Sequence, residues 1–239
     1  MKKITSVTNQ YIKSLYELKK NHEKKNQGLF LVDGIDFIEM ANKENLLVCV
    51  LLLNEDKRFD NVEQIIVTEQ ILNKLSTNKT SQNMIGVCKY KVPSEIKVNN
   101  KLLYLDGVQD PGNVGTLIRT ALAFNYDGVI LSEDSASLYN DKVISSTKGA
   151  IFKMNIYQGV SLNKLKDDGF DIVSTSLEKA VNYKEYTKKE NFVLVLGNEG
   201  QGVKKENLLL SDVIVKIPMD NIDSLNVAIA GGILMNEYR

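Results

Sequence analysis

From Lys101 onward, short apolar runs alternate with segments whose apolar residues recur every three or four positions. The runs predict strands at residues 101–105, 128–131, 152–156, 171–174, 192–196 and 213–217, and the periodic segments predict helices from Asn113, near Tyr139, at Leu162, over 204–210 and from Ser224. Parallel strands need such crossover segments between them. The alternation therefore favours an α/β fold with a mostly parallel sheet.

The first hundred residues predict a smaller α/β unit. Its predicted helices cover residues 9–25 and 35–41, and its predicted strands cover 29–32, 48–53, 64–67 and 85–90. Residues 91–100 contain Pro93 and few apolar side chains, which is typical of a hinge between domains. We therefore expect two domains, residues 1–97 and residues 98–239.

Composition indicates an ordinary soluble protein. The chain has 239 residues, of which 43% are apolar and 25% charged, as one large or two small globular domains would have. Its apolar runs are shorter than the roughly 18 residues of a membrane span, and its amino terminus lacks the apolar stretch of a secretory signal. We expect a cytoplasmic protein without membrane contacts.

Neither cysteine nor histidine usage favours a metal site. Cys49 and Cys88 are isolated within apolar or β-type runs, and His22 is the single histidine. Zinc sites need several such ligands at short spacings. The prediction is two buried free thiols and no metal.

Positive charge is concentrated at the amino terminus. Residues 1–25 hold seven lysines against Glu17 and Glu23, a local net charge of +5 in a chain of zero net charge. Such an arm is able to dock a polyanion. Equally, Lys19, Lys20, Lys24 and Lys25 fit the solvated outer face of a helix, and the sequence leaves both interpretations open.

Three segments place glycines and side-chain amides where a predicted strand ends, at residues 105–119, 194–202 and 217–230. The carboxyl ends of parallel strands meet at one edge of a sheet, and ligands of open α/β sheets bind there. The sequence therefore predicts a binding site assembled from these three loops.

In the first segment, Arg119 lies off the apolar stripe of the helix that begins at Asn113. A guanidinium beside a glycine loop and a helix start is suited to hold a phosphate through paired hydrogen bonds. The alternatives are a surface ion pair of Arg119 with Asp106 or Asp110, and a plain N-cap role for Asn113.

The second segment, residues 197–202, has the spacing G-x-x-G-x-G and lacks a P-loop lysine, which disfavours a dinucleotide or phosphate loop. Its glycines would let the backbone approach a flat, adenine-like group, while Glu199 accepts hydrogen bonds from loop N–H groups or from an arginine. In the third segment, Ser224 and Asn226 are each also typical of a helix start.

Taken together, the three segments resemble the SpoU (TrmH-like) family of RNA ribose 2'-O-methyltransferases, in the SPOUT superfamily. The resemblance covers about residues 101–239, through residues 110–115 with Arg119, residues 196–200, and residues 217–219 with 224–228. Residues 30–34 resemble the family's accessory RNA-binding domain. Two departures are Asp33, where glutamate is usual, and residues 220–223, which lack the glycine common after the Pro-Met pair.

The resemblance implies a fold, a cofactor and an assembly that periodicity does not predict. It implies a carboxy-terminal trefoil knot after a small α/β RNA-binding domain, S-adenosyl-L-methionine bound in that knot, and a homodimer in which the apolar last helix is buried. The residues it assigns to cofactor binding are Gly197, Ile217, Leu225, Thr175, Ser174, Asn198, Gly202 and Met219.

The resemblance also assigns the chemistry, with Arg119 as the central residue. A guanidinium stays protonated in proteins, so the expected role of Arg119 is to hold the neighbouring phosphate and orient the 2'-hydroxyl rather than to act as a base. The residues expected to fix Arg119 and the surrounding loops are Asn113, Glu199, Ser224 and Asn226.

The reacting group is a 2'-hydroxyl, which RNA has and DNA lacks, so the expected substrate is RNA. A separate docking domain with a basic arm favours a structured RNA. Ribosomal RNA is the first choice and transfer RNA the second. Two alternatives from other classes are a non-catalytic RNA-binding or ribosome-assembly protein of the same fold, and an enzyme acting on a small nucleotide.

Overall fold

The computed structural model describes residues 2–59, 61–77 and 82–239. The chain divides into two compact units between Lys91 and Val92. Residue 97 therefore lies in the second unit. Its neighbour Ser94 is tied to that unit, because the Ser94 N–H donates to Asn155 Oδ1 at 3.3 Å and the Tyr157 hydroxyl donates to the Ser94 carbonyl at 3.0 Å.

The first unit is a five-stranded mixed sheet with helices. Its strands are β1 (Lys2–Ile4), β2 (Leu29–Asp33), β3 (Leu47–Leu52), β4 (Glu63–Val67) and β5 (Met84–Lys89), and its helices are α1 (Gln10–Glu17), α2 (Asn21–Gln27), α3 (Ile35–Lys43) and α4 (Glu69–Leu75), with a 3-10 turn at Lys57–Phe59. The strand order is β1-β4-β3-β5-β2, and β5 runs antiparallel to both of its neighbours. Cys49 and Cys88 are buried free thiols in this sheet, as predicted.

The single helix predicted for residues 9–25 is wrong, because two helices occupy this region. The chain leaves helical geometry at Lys20, whose φ and ψ are −93° and 128°, and α2 ends at Gly28 in the left-handed conformation. The apolar stripe also ends at Leu18, so one continuous helix would lack apolar side chains to pack against the sheet beyond that residue. Lys24 is buried rather than on a solvated outer face.

The second unit is a seven-stranded sheet in which every neighbouring pair of strands is parallel. Its strands are β6 (Lys101–Asp106), β7 (Gly128–Leu131), β8 (Asn155–Gln158), β9 (Asp171–Thr175), β10 (Val181–Asn182), β11 (Phe192–Gly197) and β12 (Val213–Lys216), and its helices are α5 (Pro111–Ala123), α6 (Asp141–Thr147), α7 (Ala150–Lys153), α8 (Leu162–Asp167), α9 (Lys205–Leu210) and α10 (Val227–Glu237), with a 3-10 turn at Tyr183–Glu185.

The strand order β10-β12-β9-β11-β6-β7-β8 explains where the three loops meet. Strand β11 lies between β6 and β9, with Gly197 paired in register with Asp106 of β6. All six residues of β11 are buried, which matches its uninterrupted apolar sequence. The segments that follow β6, β11 and β12 therefore start from the same edge of the sheet.

Several element boundaries differ from the sequence predictions. Helix α5 begins at Pro111 rather than Asn113, because the Asp110 carboxylate accepts the Asn113 N–H and a proline fits the first turn. The strand predicted at 152–156 is wrong over its first part: Phe152 belongs to α7, and β8 begins at Asn155. Gly149, with φ of 89°, starts that short helical turn.

Helix α10 begins at Val227 rather than Ser224 and is only half buried within the chain. Its buried residues are Ala228, Gly231, Leu234 and Met235, whereas Ile229 is 58% exposed. One copy of the chain therefore supplies only part of the burial expected for this helix in a homodimer. Within the described residues, no helix has the length and apolar character needed to cross a membrane.

Candidate active site

A cavity of about 520 Å³ opens at the carboxyl ends of β9, β11 and β12. The predicted cofactor residues that line it are Thr175, Gly197, Asn198, Gly202, Ile217, Met219 and Leu225. Ser174 does not line it, because its side chain is fully buried and accepts a hydrogen bond from Ser211 Oγ at 2.6 Å. Side chains alternate sides along a strand, so Thr175 and Ser174 face opposite ways.

The loop after β11 folds back tightly on its own strand. The backbones of Asn198 and Gly202 exchange two hydrogen bonds of 2.9 Å, and a Cβ built on Gly197 would overlap the backbone of Gly202 and Val203. The Asn198 side chain accepts the N–H groups of Gly200 and Gln201 and donates to the Gly107 carbonyl at 2.8 Å. This cavity wall is therefore held by hydrogen bonds to the neighbouring loop.

Glu199 joins the second loop to the first. Its carboxylate accepts the N–H groups of Gln109 and Asp110 at 3.2 Å each, and the Asn113 amide at 2.9 Å. Burial by itself would raise the pKa of Glu199, but the hydrogen bonds from Asn113 and from the backbone outweigh it and hold the pKa below its ordinary value. The carboxylate contacts loop N–H groups, one of the two predicted arrangements.

Protonation of Glu199 should therefore weaken the hydrogen bonds between the second loop and the first, at a pH below the usual glutamate pKa. A lowered pKa means that the contribution of Glu199 is complete above the ordinary value of about 4.3 and is lost as pH falls through the lowered value. In an NMR titration, we expect the backbone amide resonance of Gln109 and the side-chain amide resonances of Asn113, both of which donate to Glu199, to shift together below about pH 4.3. This pH-dependent change in chemical shift should be absent in Glu199→Gln. A titration midpoint above the ordinary glutamate pKa would contradict the hydrogen bonds described for Glu199.

Asn113 and Asn226 join the first loop to the third. The Asn226 amide donates to Asn113 Oδ1 at 3.1 Å, and Asn226 Oδ1 caps α10 by accepting the N–H groups of Ala228 and Ile229. A chain of side-chain hydrogen bonds thus runs from Glu199 through Asn113 to Asn226. Ser224 lines the cavity without capping the helix.

Arg119 lies apart from this chain of hydrogen bonds. It is exposed on α5, and residues six apart on an α-helix point about 120° away from each other, so Arg119 and Asn113 face different directions. Within the described part of the chain, Arg119 has no hydrogen-bond or ion-pair partner. The alternative of an ion pair with Asp106 or Asp110 is therefore wrong, since those carboxylates bind Lys204 and Lys142.

Sequence reasoning missed two ion pairs that support the loops. Asp110 binds Lys142 at 2.9 Å, and this ammonium with the Asn113 N–H holds the pKa of Asp110 below its usual range. The second joins the buried Asp106 to Lys204 Nζ at 3.9 Å, and Asp106 also accepts the backbone N–H of Lys204 at 2.8 Å, which fixes the end of the glycine loop. Asp110 before a proline is a readable N-cap signal, whereas the partner Lys142 lies 32 positions away and carries no local signal.

The cavity has the size and lining of a nucleoside site rather than a metal site. Small-ligand pockets span roughly 300–1,000 Å³ and are lined mainly by apolar groups with a few polar ones. Leu196, Val227 and Leu234 supply apolar wall, and the glycine loop supplies backbone groups. Among the residues described, no three His, Cys, Asp or Glu side chains are arranged to hold a metal ion.

A parallel sheet with glycine-rich loops around such a cavity defines an α/β enzyme that binds a nucleoside-like cofactor. Comparison with known proteins narrows this class. The sequence profile of the SpoU rRNA Methylase family matches residues 100–236, and that of the MRM3-like substrate binding domain matches residues 9–86. The chain therefore belongs to the SpoU rRNA methylase family, which confirms the resemblance described above.

Individual relatives extend over the whole chain. The 23S rRNA (guanosine(2553)-2'-O)-methyltransferase RlmP of Bacillus subtilis is 31% identical and covers 100% of both chains. A putative RNA methyltransferase of the TrmH family from Porphyromonas gingivalis superposes with a TM-score of 0.86 at 27% identity, over 98% of each chain. The AdoMet-bound rRNA methyltransferase from Sinorhizobium meliloti superposes with a TM-score of 0.89 at 24% identity, over 100% of this chain and 97% of its own. The predicted fold class is confirmed.

Proposed function

We propose that this chain transfers a methyl group from S-adenosyl-L-methionine to a ribose 2'-hydroxyl of ribosomal RNA. The single observation that carries the proposal is the set of hydrogen bonds that fastens Glu199, Asn113 and Asn226 together beside the cavity. These bonds fix three loops whose residues match the motifs of the family. The relationship to a 23S rRNA 2'-O-methyltransferase over the full chain supports the same reaction.

The residues of the cavity fit the cofactor. The glycine loop lines the cavity with Gly197, Gly200 and Gly202, so this part of the wall has few side chains, which suits the close approach of an adenine ring. Ile217 and Leu225, in the segment that follows β12, also line the cavity. When bound, S-adenosyl-L-methionine supplies the electrophilic methyl group. The sugar hydroxyl must then be positioned by the protein and kept from competing water.

The fastened carboxylate of Glu199 is a positioning group in this proposal. Within the described chain, its side chain accepts hydrogen bonds from loop N–H groups and from Asn113, and its pKa is lowered, so it holds the loops as an anion. Arg119 is exposed and has no hydrogen-bond or ion-pair partner in the described chain, so its guanidinium is available to bind an RNA phosphate next to the target sugar. Ser224 lines the cavity, and in this proposal it contacts the bound substrates.

Ribosomal RNA is favoured over transfer RNA as the substrate, because a relative that matches the full chain is a 23S rRNA methyltransferase. The substrate-binding profile matches residues 9–86, and we assign the first unit, which ends at Lys91 rather than at the predicted residue 97, to RNA binding and the second unit to methyl transfer. In α10, Ile229 is 58% exposed and Ile233 is partly exposed, which supports a homodimer, because apolar side chains of such a helix are normally covered. Sedimentation of the purified chain tests the dimer. A cytoplasmic location accords with an RNA substrate.

Labelled methyl transfer tests the proposed function. The purified chain is incubated with tritiated S-adenosylmethionine and either protein-free 23S rRNA or bulk transfer RNA. We expect label in the ribosomal RNA at a position that resists alkaline cleavage, because a 2'-O-methyl group blocks that reaction. Label on a base would refute ribose chemistry, and label in transfer RNA alone would favour the second substrate.

Calorimetric titration separates the alternatives from other classes. We expect S-adenosylmethionine to bind with a micromolar dissociation constant, about −8 kcal/mol. A chain that binds RNA but no cofactor would be an assembly factor of the same fold. A chain that binds the cofactor but methylates only a small nucleotide would be the third alternative.

A further inference from the structure

The first unit carries two lysines around one exposed tyrosine, outside the cavity and its network. Tyr16 on α1 is 41% exposed. The Nζ atom of Lys19 lies 5.3 Å from the centroid of the Tyr16 ring, and the Nζ atom of Lys74 on α4 lies 5.3 Å from the same centroid. We refer to Tyr16, Lys19 and Lys74 as the Tyr16 cluster.

Both ammonium groups of the Tyr16 cluster are held in place. Lys19 Nζ donates to the Ser76 carbonyl at 2.9 Å, and Lys74 Nζ donates to the Val7 carbonyl at 3.1 Å. An ammonium group has three donors, so two on each lysine remain for a ligand. Surface lysines normally lose considerable side-chain entropy when they bind, and these two are already ordered by a carbonyl and a ring.

No carboxylate of the described residues neutralises the charge of the Tyr16 cluster. In the residues described, neither Lys19 nor Lys74 lies within ion-pair distance of a carboxylate, and the neighbouring Glu17 binds Lys20 instead. Lys13 is also exposed on the same helix. Two fixed, uncompensated positive charges beside an exposed ring form a surface complementary to a polyanion.

We infer that the Tyr16 cluster binds consecutive phosphates of the RNA backbone. This inference rests on the proposed function, and it names the surface through which the first unit holds its substrate. Lysine binds phosphate as a compact point charge, whereas planar carboxylates are gripped best by arginine, which the cluster lacks. The tyrosine hydroxyl adds a group that hydrogen-bonds to phosphate or to a 2'-hydroxyl.

The salt dependence of RNA binding tests this surface. Binding of the full chain to protein-free 23S rRNA is measured across a series of KCl concentrations for the wild type and for Lys19→Gln/Lys74→Gln. We expect the double variant to bind about tenfold more weakly, with its log–log salt slope reduced by about 2, or about 1 for each lost phosphate contact. The matched control Lys43→Gln/Lys57→Gln removes two exposed lysines elsewhere in the unit and should stay within about twofold of the wild type.

A third variant separates charge from ordering. Tyr16→Leu keeps both lysines but removes the ring that orders them, so it should weaken binding severalfold with an unchanged slope. The inference is overturned if Lys19→Gln/Lys74→Gln matches the wild type, if the control weakens binding equally, or if polyglutamate competes as well as RNA. Cofactor affinity, measured by calorimetry, should be unchanged because the cavity lies in the second unit, and an unchanged circular dichroism spectrum and thermal unfolding midpoint confirm that the first unit is folded. If the wild type transfers no methyl group, the proposed function fails, and the binding comparison still decides the role of the cluster.

Discussion

Replacing Arg119 with alanine is expected to slow methyl transfer by about 100- to 1,000-fold while leaving the affinity for S-adenosylmethionine unchanged. Arg119 does not line the cavity, so cofactor binding does not need it. It is exposed on α5 and has no partner in the described chain, so its guanidinium is available to fix a phosphate beside the reacting hydroxyl. Single-turnover transfer of tritium to 23S rRNA measures the rate, and calorimetry measures cofactor affinity.

Two further variants sharpen this prediction. Arg119→Lys keeps the positive charge but loses the two parallel donors, so it should recover less than about a tenth of the wild-type rate. Arg58→Ala removes an exposed guanidinium from the other unit and should keep the wild-type rate. Full activity in Arg119→Ala would remove this residue from the reaction, and a lost cofactor affinity would give it a different role.

The strands and the location of the site are predictable because they depend on local patterns. Uninterrupted apolar runs became the buried central strands β6 and β11, and loops rich in glycine and amides followed them. Parallel strands place their carboxyl ends together, so residues distant in sequence, such as Asn113 and Glu199, are expected to meet. They do meet, with 2.9 Å between the Asn113 amide nitrogen and a Glu199 carboxylate oxygen.

The residue at which a helix begins and the direction in which a single side chain points are harder to predict. Asp110, Asn113, Ser224 and Asn226 are all good caps by residue type, and only the local hydrogen bonds show that Asp110 and Asn226 are the caps. Strand alternation decides that Ser174 is buried while Thr175 reaches the cavity, and an error of one residue in a strand's phase reverses such an assignment. The expectation of a carboxy-terminal knot comes only from the family resemblance, because no local sequence pattern encodes threading of the chain.

The glycine loop supports the second large prediction. Gly197→Ala is expected to lower the free energy of unfolding by about 3 kcal/mol and to weaken cofactor binding by at least about 100-fold. The added methyl group would overlap the backbone of Gly202 and Val203, and a backbone has no rotamer through which to relieve the overlap. The loop would have to break its paired hydrogen bonds between Asn198 and Gly202. Denaturant unfolding and calorimetric titration measure the two effects.

Gly200→Ala is the matched control for stability, because it lies in the same loop. A methyl group there would find its nearest neighbour, Asn198 Oδ1, at 3.7 Å, an ordinary contact. Its free energy of unfolding should therefore stay within about 0.5 kcal/mol of the wild type. If Gly197→Ala is as stable as Gly200→Ala and binds the cofactor normally, the close fold of this loop onto β11 is not required for the site. If both variants are equally unstable, the loop is sensitive to any side chain and the overlap at Gly197 is not the cause.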